Sequence, residues 1–96
     1  MNNTLKITLK TEGHCIENAA KEKLQELINT IIIRDEEDFI LQSQYELLYE
    51  FIHTADFKTL RASDERLAGI LPCECEIFKN VEGNIVVRIV EEHNRQ

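Results

Sequence analysis

Polar and apolar residues alternate without a fault through Thr4-Leu5-Lys6-Ile7-Thr8-Leu9-Lys10, which predicts a strand with Leu5, Ile7 and Leu9 on its buried side. Glu12-Gly13-His14 interrupts it, and from Ile16 the period changes. Ile16, Ala19, Ala20, Leu24, Leu27, Ile28 and Ile31 recur at helical spacing, with Glu17, Lys21, Glu22, Gln25 and Glu26 on the other face. Glu17 and Lys21 form a favourable i,i+4 pair, Glu22 and Glu26 an unfavourable one. A helix from about residue 16 to the low thirties follows.

Residues 30–42 read in two ways. Three consecutive isoleucines, 31–33, prefer extended backbone, and no Gly or Asn follows to cap a helix. Asp35-Glu36-Glu37-Asp38 then either opens a second helix at the positive end of its dipole or forms the loop of a small hairpin. In the hairpin reading the next helix starts at Ser43, which has capping-box spacing to Glu46. We take the two-helix reading, because Ile40, Gln44, Leu47, Leu48, Phe51, Ile52 and Ala55 share one face of a helix over about 36–54. Residues 54–60 read as a connector. Ser63 to Gly69 predicts a short helix, capped by Ser63 and stopped by Gly69.

The last third carries the strongest signal. Cys73 to Phe78 and Asn84 to Val90 alternate on either side of a short loop ending in Gly83. A hairpin with Gly83 in the left-handed position of a three-residue turn opposes Ile77 to Val87, Cys75 to Ile89 and Lys79 to Ile85 on one face. On the other it opposes Glu76 to Arg88, Phe78 to Val86 and Glu74 to Val90. A slip of one residue would set Cys75 against Arg88 and mix the faces. The expected fold is a two-layer α+β domain over residues 1–96, with a three-stranded antiparallel sheet (β-α-α-short α-β-β) and helices on one face. The alternative, should the middle hairpin form, is a ferredoxin-like βαββα plan followed by the C-terminal hairpin.

Ninety-six residues suffice for one domain with its own core. The net charge of −7 opposes general binding to nucleic-acid phosphates and to anionic membrane surfaces. The longest apolar runs, such as Ile31–Ile33, are three residues long, far too short to span a bilayer. Three cysteines and no secretory leader in the first residues point to a reducing cytoplasm and free thiols.

Candidate chemistry is sparse. Cys73 and Cys75 would project to the same side of a strand, where a soft metal or a thiol-redox reaction could use them. Besides them, only His14, Cys15, His53 and His93 could add His or Cys ligands, and none lies at the spacing of a zinc module. In the hairpin register these thiols face the core as small hydrophobes. His14-Cys15 lies near a helix N-terminus, which can activate a thiol, but no oxyanion loop accompanies it. No phosphate loop, nucleophile elbow, zincin motif, EF-hand loop or Rossmann fingerprint is present. No catalytic residue, cofactor or resident metal is therefore assigned.

Two features suit contact with another protein. Tyr45, Tyr49 and His53 form an i, i+4, i+8 stripe on the second helix, at a core margin or in an interface. Phe78, Val86 and Val90 sit on the outer sheet face among Glu74, Glu76 and Arg88. They make an apolar patch rimmed by charge unless C-terminal residues or the middle hairpin cover it. The acidic residues of the middle of the chain, Asp35–Asp38, Glu46, Glu50 and Asp56, are a solvated face or, more sharply, an imitation of nucleic-acid phosphates. The sequence names no activity. Its expectation is a non-enzymatic, acidic cytoplasmic interaction module of accessory, inhibitor or antitoxin-like kind, forming a homodimer or binding another protein, with contact residues Tyr45, Tyr49, His53, Phe78, Val86, Arg88 and Val90. The alternative is a metal-binding or thiol-redox protein built on Cys73 and Cys75.

Overall fold

The computed structural model describes residues 5–11, 13–34 and 38–90. Its elements are β1 (Lys6–Lys10), α1 (Ile16–Arg34), α2 (Phe39–Thr54), α3 (Phe57–Ser63), β2 (Glu74–Lys79) and β3 (Ile85–Val90). The strands form one antiparallel sheet in the order β1-β2-β3, and the helices form the second layer. This is the two-layer α+β plan that the polar–apolar pattern predicts.

β2 is central because it alone has partners on both sides. It meets β1 with Ile7 opposite Ile77 and Leu9 opposite Cys75. It meets β3 in the register derived from the sequence, with Ile77 opposite Val87, Cys75 opposite Ile89 and Glu76 opposite Arg88. Ile7, Leu9, Cys75 and Ile77 are sealed against Ile16, Ala19, Ala20 and Leu27 of α1 and Leu47, Leu48 and Phe51 of α2. Burying such side chains contributes about 1.5–3 kcal/mol each, so this cluster, and not the surface ion pairs, holds the two layers together.

The turn between β2 and β3 is the expected three-residue one. The Asn80 amide donates to the Asn84 carbonyl (2.9 Å), the Gly83 amide donates to the Asn80 carbonyl (3.0 Å), and Gly83 has φ +85°. Asn80 adds a lock of its own: its side-chain oxygen accepts from the amides of Glu82 and Asn84, both at 3.0 Å. A short polar side chain at the first turn position is suited to this role.

Residues 39–54 are helical, so the middle hairpin and the ferredoxin-like plan do not form. Asp38 is the cap: its Oδ1 accepts from the amides of Ile40 (3.0 Å) and Leu41 (3.1 Å). Residues 35–37 lie outside the described residues, so only Asp38 of the acidic run is placed. Ile40 shares the helical face of Leu47, Leu48 and Phe51 but is exposed, because the sealed cluster lies further along α2.

The short helix also lies elsewhere. It occupies 57–63, within the segment read as a connector, and Ser63 ends it. Asp56 outcompetes Ser63 as cap, accepting from the Thr59 amide at 3.1 Å and the Thr59 hydroxyl at 2.8 Å. Phe57 then packs edge-on to Phe51, ring centroids 5.3 Å apart, a contact that ties α3 to the core. Asp64 builds a turn over 64–69, accepting from the Arg66 amide at 2.8 Å.

That turn docks on the start of α1. The Ile16 amide, without a partner within its own helix, donates to the Leu67 carbonyl at 2.9 Å. Gly69 follows at φ +88°, with its α-carbon so close to the chain that a methyl group there would lie 2.6 Å from the His14 carbonyl carbon.

Candidate interaction surface

Among the described residues, helices cover the sheet on one side only. Its outer face carries Lys6, Thr8 and Lys10 from β1, Glu74, Glu76 and Phe78 from β2, and Val86, Arg88 and Val90 from β3, aligned in that register. Glu76 sits at the centre. It pairs with Arg88 on one side and with Lys6 Nζ on the other (3.6 Å). The hydrogen bond from Arg88, reinforced by the Lys6 charge, holds the Glu76 carboxyl below its ordinary range. The Arg88 guanidinium also lies over the Phe78 ring, 5.6 Å from its centroid. Phe78, Val86 and Val90 are half-buried, so neighbouring side chains only partly cover the apolar patch.

β3 is the least covered strand on its inner side as well. Along β1 and β2 the inward residues Ile7, Leu9, Cys75 and Ile77 are sealed, whereas Ile85, Val87 and Ile89 of β3 remain half-buried. A groove of about 520 Å³ runs beside them, between β3 and the α2–α3 corner, with Phe51, Ala55, Leu60, Ile85 and Val87 in its wall. The helical layer covers β1 and β2 more fully than β3, whose Ile85, Val87 and Ile89 pack at the edge of the core.

Tyr45, Tyr49 and His53 form a row of neighbouring rings on α2. The two tyrosine rings are 5.8 Å apart, and Tyr49 and His53 stack at 4.2 Å with planes 26° apart. The His53 ring is fixed by its Nδ1, which donates to the Tyr49 carbonyl at 2.9 Å. This stripe belongs to the helical layer and does not join the outer sheet face, so the seven contact residues named from the sequence fall into two separate surfaces. A third surface escaped the sequence reading. Ile32 and Ile33 near the end of α1 and Phe39 and Ile40 at the start of α2 are all exposed, Phe39 by 85%. The run of three isoleucines was its signal, since one helical face cannot bury three successive residues.

The thiols are structural in their placement. Cys75 has no exposed surface, and burial, with the neighbouring Cys73, Glu74 and Glu76, pushes its thiol up to about 12. Cys73 precedes β2 and lies half-buried, its Sγ 3.1 Å from the Thr11 hydroxyl. Cys15 directly precedes α1, its backbone carbonyl accepting from the Ala19 amide at 3.0 Å, while the His14 ring lies 3.7 Å from Glu22. All three cysteines are free. Among the described residues, no group of three or more His, Cys, Asp or Glu side chains could hold a metal ion. His93 lies outside them. Among the described residues, no helix is long and apolar enough to cross a membrane.

A protein-family model matches residues 4–88, which takes in β1, the three helices, β2 and the first four residues of β3. The chain belongs to that family. It is similar to an "uncharacterized protein" of Archaeoglobus fulgidus, with 37% identity over 59 residues, covering 59% of this chain and 69% of the relative. No solved structure matches the chain. Neither match brings an activity with it, and the functional argument rests on the surfaces.

Proposed function

We propose that this protein is a non-catalytic interaction module of the cytoplasm, acting in an accessory, inhibitory or antitoxin-like way by binding protein through the β3 side of its sheet. One observation carries the reading: every residue of β3 except Arg88 is half-buried, on both faces of the sheet, while β1 and β2 alternate between sealed and open or half-open positions. A strand left half-covered on both sides retains apolar surface that a partner would bury. The charged rim of Glu74, Glu76 and Arg88 supplies the polar margin that such contacts have. Free thiols suit a reducing compartment. The net charge of −7 argues against nucleic-acid phosphates as the partner.

The thiol-redox alternative draws little support from the geometry. Cys75 is sealed and its ionisation suppressed, and Cys73 is held by Thr11.

Native mass spectrometry of the untagged protein, isolated gently from its own cells, tests the interaction reading. The expected spectrum contains a complex, with itself or with another chain, and the variant Phe78→Ser, checked for folding by circular dichroism, loses it. A folded wild-type protein found only as a bare monomer would remove the reading.

A further inference from the structure

The sheet has two edges, and they are built differently. β1 carries Lys6 and Lys10 with exposed side chains, the cationic protection common on strands that must not pair, and its inward residues Ile7 and Leu9 are already sealed. β3 reads Ile85-Val86-Val87-Arg88-Ile89-Val90, without Lys, Pro or Gly. Its one charge, Arg88, is already engaged by Glu76 on its own chain. Among the described residues nothing pairs with its outer edge.

The direction of the free hydrogen-bonding groups follows from the turn. Asn80 and Asn84 are a hydrogen-bonded pair. Such pairs alternate along an antiparallel ladder, so Phe78 with Val86, Glu76 with Arg88 and Glu74 with Val90 are the hydrogen-bonded pairs between β2 and β3. The amide and carbonyl groups of Ile85, Val87 and Ile89 therefore point away from β2, toward the open edge.

We propose that β3 pairs antiparallel with β3 of a second copy of this chain, about a two-fold axis through Val87, joining the two sheets into one. The proposal rests on the interaction reading and names its partner. In this register Val87 meets the partner's Val87, Ile85 meets the partner's Ile89, and Ile89 meets the partner's Ile85. The outward-pointing amides and carbonyls all find partners. The half-buried inner face of β3 continues into an equally apolar strip, and the α2–α3 groove of each copy borders the joined strands. Symmetry and charge select this register. Opposed residues in an antiparallel pair share a face, so the two-fold axis must pass through one residue facing itself. Centring on Arg88 would set two guanidinium groups directly against each other and reduce the overlap. Centring on Val86 would run Ile89 past the strand into the turn at Gly83. Centring on Val87 uses the strand most fully and places Arg88 opposite the partner's Val86.

That last pairing supplies the test. Val86→Lys sets an ammonium against the partner's Arg88, twice in a symmetric dimer, whereas Val86→Glu sets a carboxylate there. Within the chain, residue 86 lies opposite Phe78, diagonal to Glu76 and two residues before Arg88 on the same face, so either charge meets one attractive and one repulsive neighbour. The two variants thus differ in dimerisation and not in the sign of their effect on folding. Sedimentation equilibrium of wild-type protein over micromolar concentrations is expected to show a monomer–dimer equilibrium. Val86→Lys, with its folding verified by urea unfolding, should raise the dissociation constant on the order of tenfold. Val86→Glu should leave it unchanged or lower it. A dimer equally tight in all three proteins would overturn pairing through β3. A monomeric wild-type protein would overturn self-pairing too, and the interaction reading would then stand only if the native complex contained another chain. A bare monomer in both experiments would overturn both.

Discussion

The hydroxyl of Thr11 lies 3.1 Å from the sulfur of Cys73, although the two residues are separated by almost the whole helical layer in sequence. Thr11 is fully buried, and its amide donates to the Cys73 carbonyl at 2.9 Å. Its hydroxyl also lies within reach of the Arg66 carbonyl at 3.1 Å. One polar side chain thus joins the end of β1, the 64–69 turn and the entry to β2. Buried hydroxyls persist in cores only when they are paired, and removing this one takes a hydrogen bond from each of its partners. Thr11→Val is expected to destabilise the protein by about 1–2 kcal/mol, measured as a lower urea midpoint with an unchanged slope. The Arg66 carbonyl keeps the Gly69 amide as a donor at 3.3 Å, which limits the loss.

Gly69 and Gly83 make a matched comparison. Both have positive φ, near +88° and +85°. A methyl group on Gly83 would meet open space, and Gly83→Ala should cost about 1–2 kcal/mol for the left-handed backbone alone. On Gly69 the same methyl group would lie 2.6–2.7 Å from backbone atoms of His14 and Cys15. Those atoms open α1 and cannot move without disturbing the bond from Ile16 to Leu67. Gly69→Ala is expected to cost roughly 3 kcal/mol or more, a strained backbone plus a displaced contact. Thermal or urea unfolding of the two variants side by side checks the ranking; equal losses would show that the close approach does not matter.

Period and register were legible in the chain because they are local consequences of alternation. Ile77 opposite Val87 followed from requiring one apolar face, with the turn at Gly83 fixing the pairing. Choices between competing caps were not legible. Asp56 and Ser63 both offer N-cap chemistry, and the packing of Phe57 on Phe51, a tertiary contact, favours Asp56. The exposure of Ile40 was hidden for a similar reason: its spacing fits the core face of α2, but the sealed cluster lies further along that helix. For the candidate surface, the sequence pointed to Phe78, Val86 and Val90. It could not show that the helices leave the inner side of β3 half-covered as well, since that depends on how far the second layer extends.

Glu76 gives the outer face a defined pH response. Its carboxyl is held below the ordinary value of 4.5, chiefly by the Arg88 hydrogen bond. A depressed carboxylate contributes stability that is fully present above its unfolded value and is lost as pH falls through the folded one. The pair should therefore support the fold at neutral pH and fade below about pH 4.5. Urea midpoints at neutral pH and near pH 3 should differ less for Glu76→Gln than for the wild-type protein. An identical acid loss in both would assign the pH sensitivity to other carboxylates, with Asp56 and Asp64, also depressed, the first to replace.

Cys75 is expected to be the last thiol to react. It has no exposed surface, and its ionisation is pushed up to about 12 from 9.0, so at pH 8 almost none of it is the thiolate that attacks an alkylating reagent. Cys15 and Cys73 are half-buried and more open to reagent. Iodoacetamide followed by peptide mass spectrometry should label Cys15 or Cys73 in the folded protein and leave Cys75 untouched, then label all three in urea. The raised value has a second consequence with the opposite sign to that of Glu76. Because folding favours the neutral thiol, its contribution is complete below pH 9 and declines as pH rises toward 12. Cys75→Ser, which buries a hydroxyl where an apolar sulfur packs between Leu9 and Ile89, should cost about 1–3 kcal/mol. Labelling of Cys75 in the native state as fast as Cys15 would contradict the sealed core and return the Cys73–Cys75 pair to consideration as a reactive site.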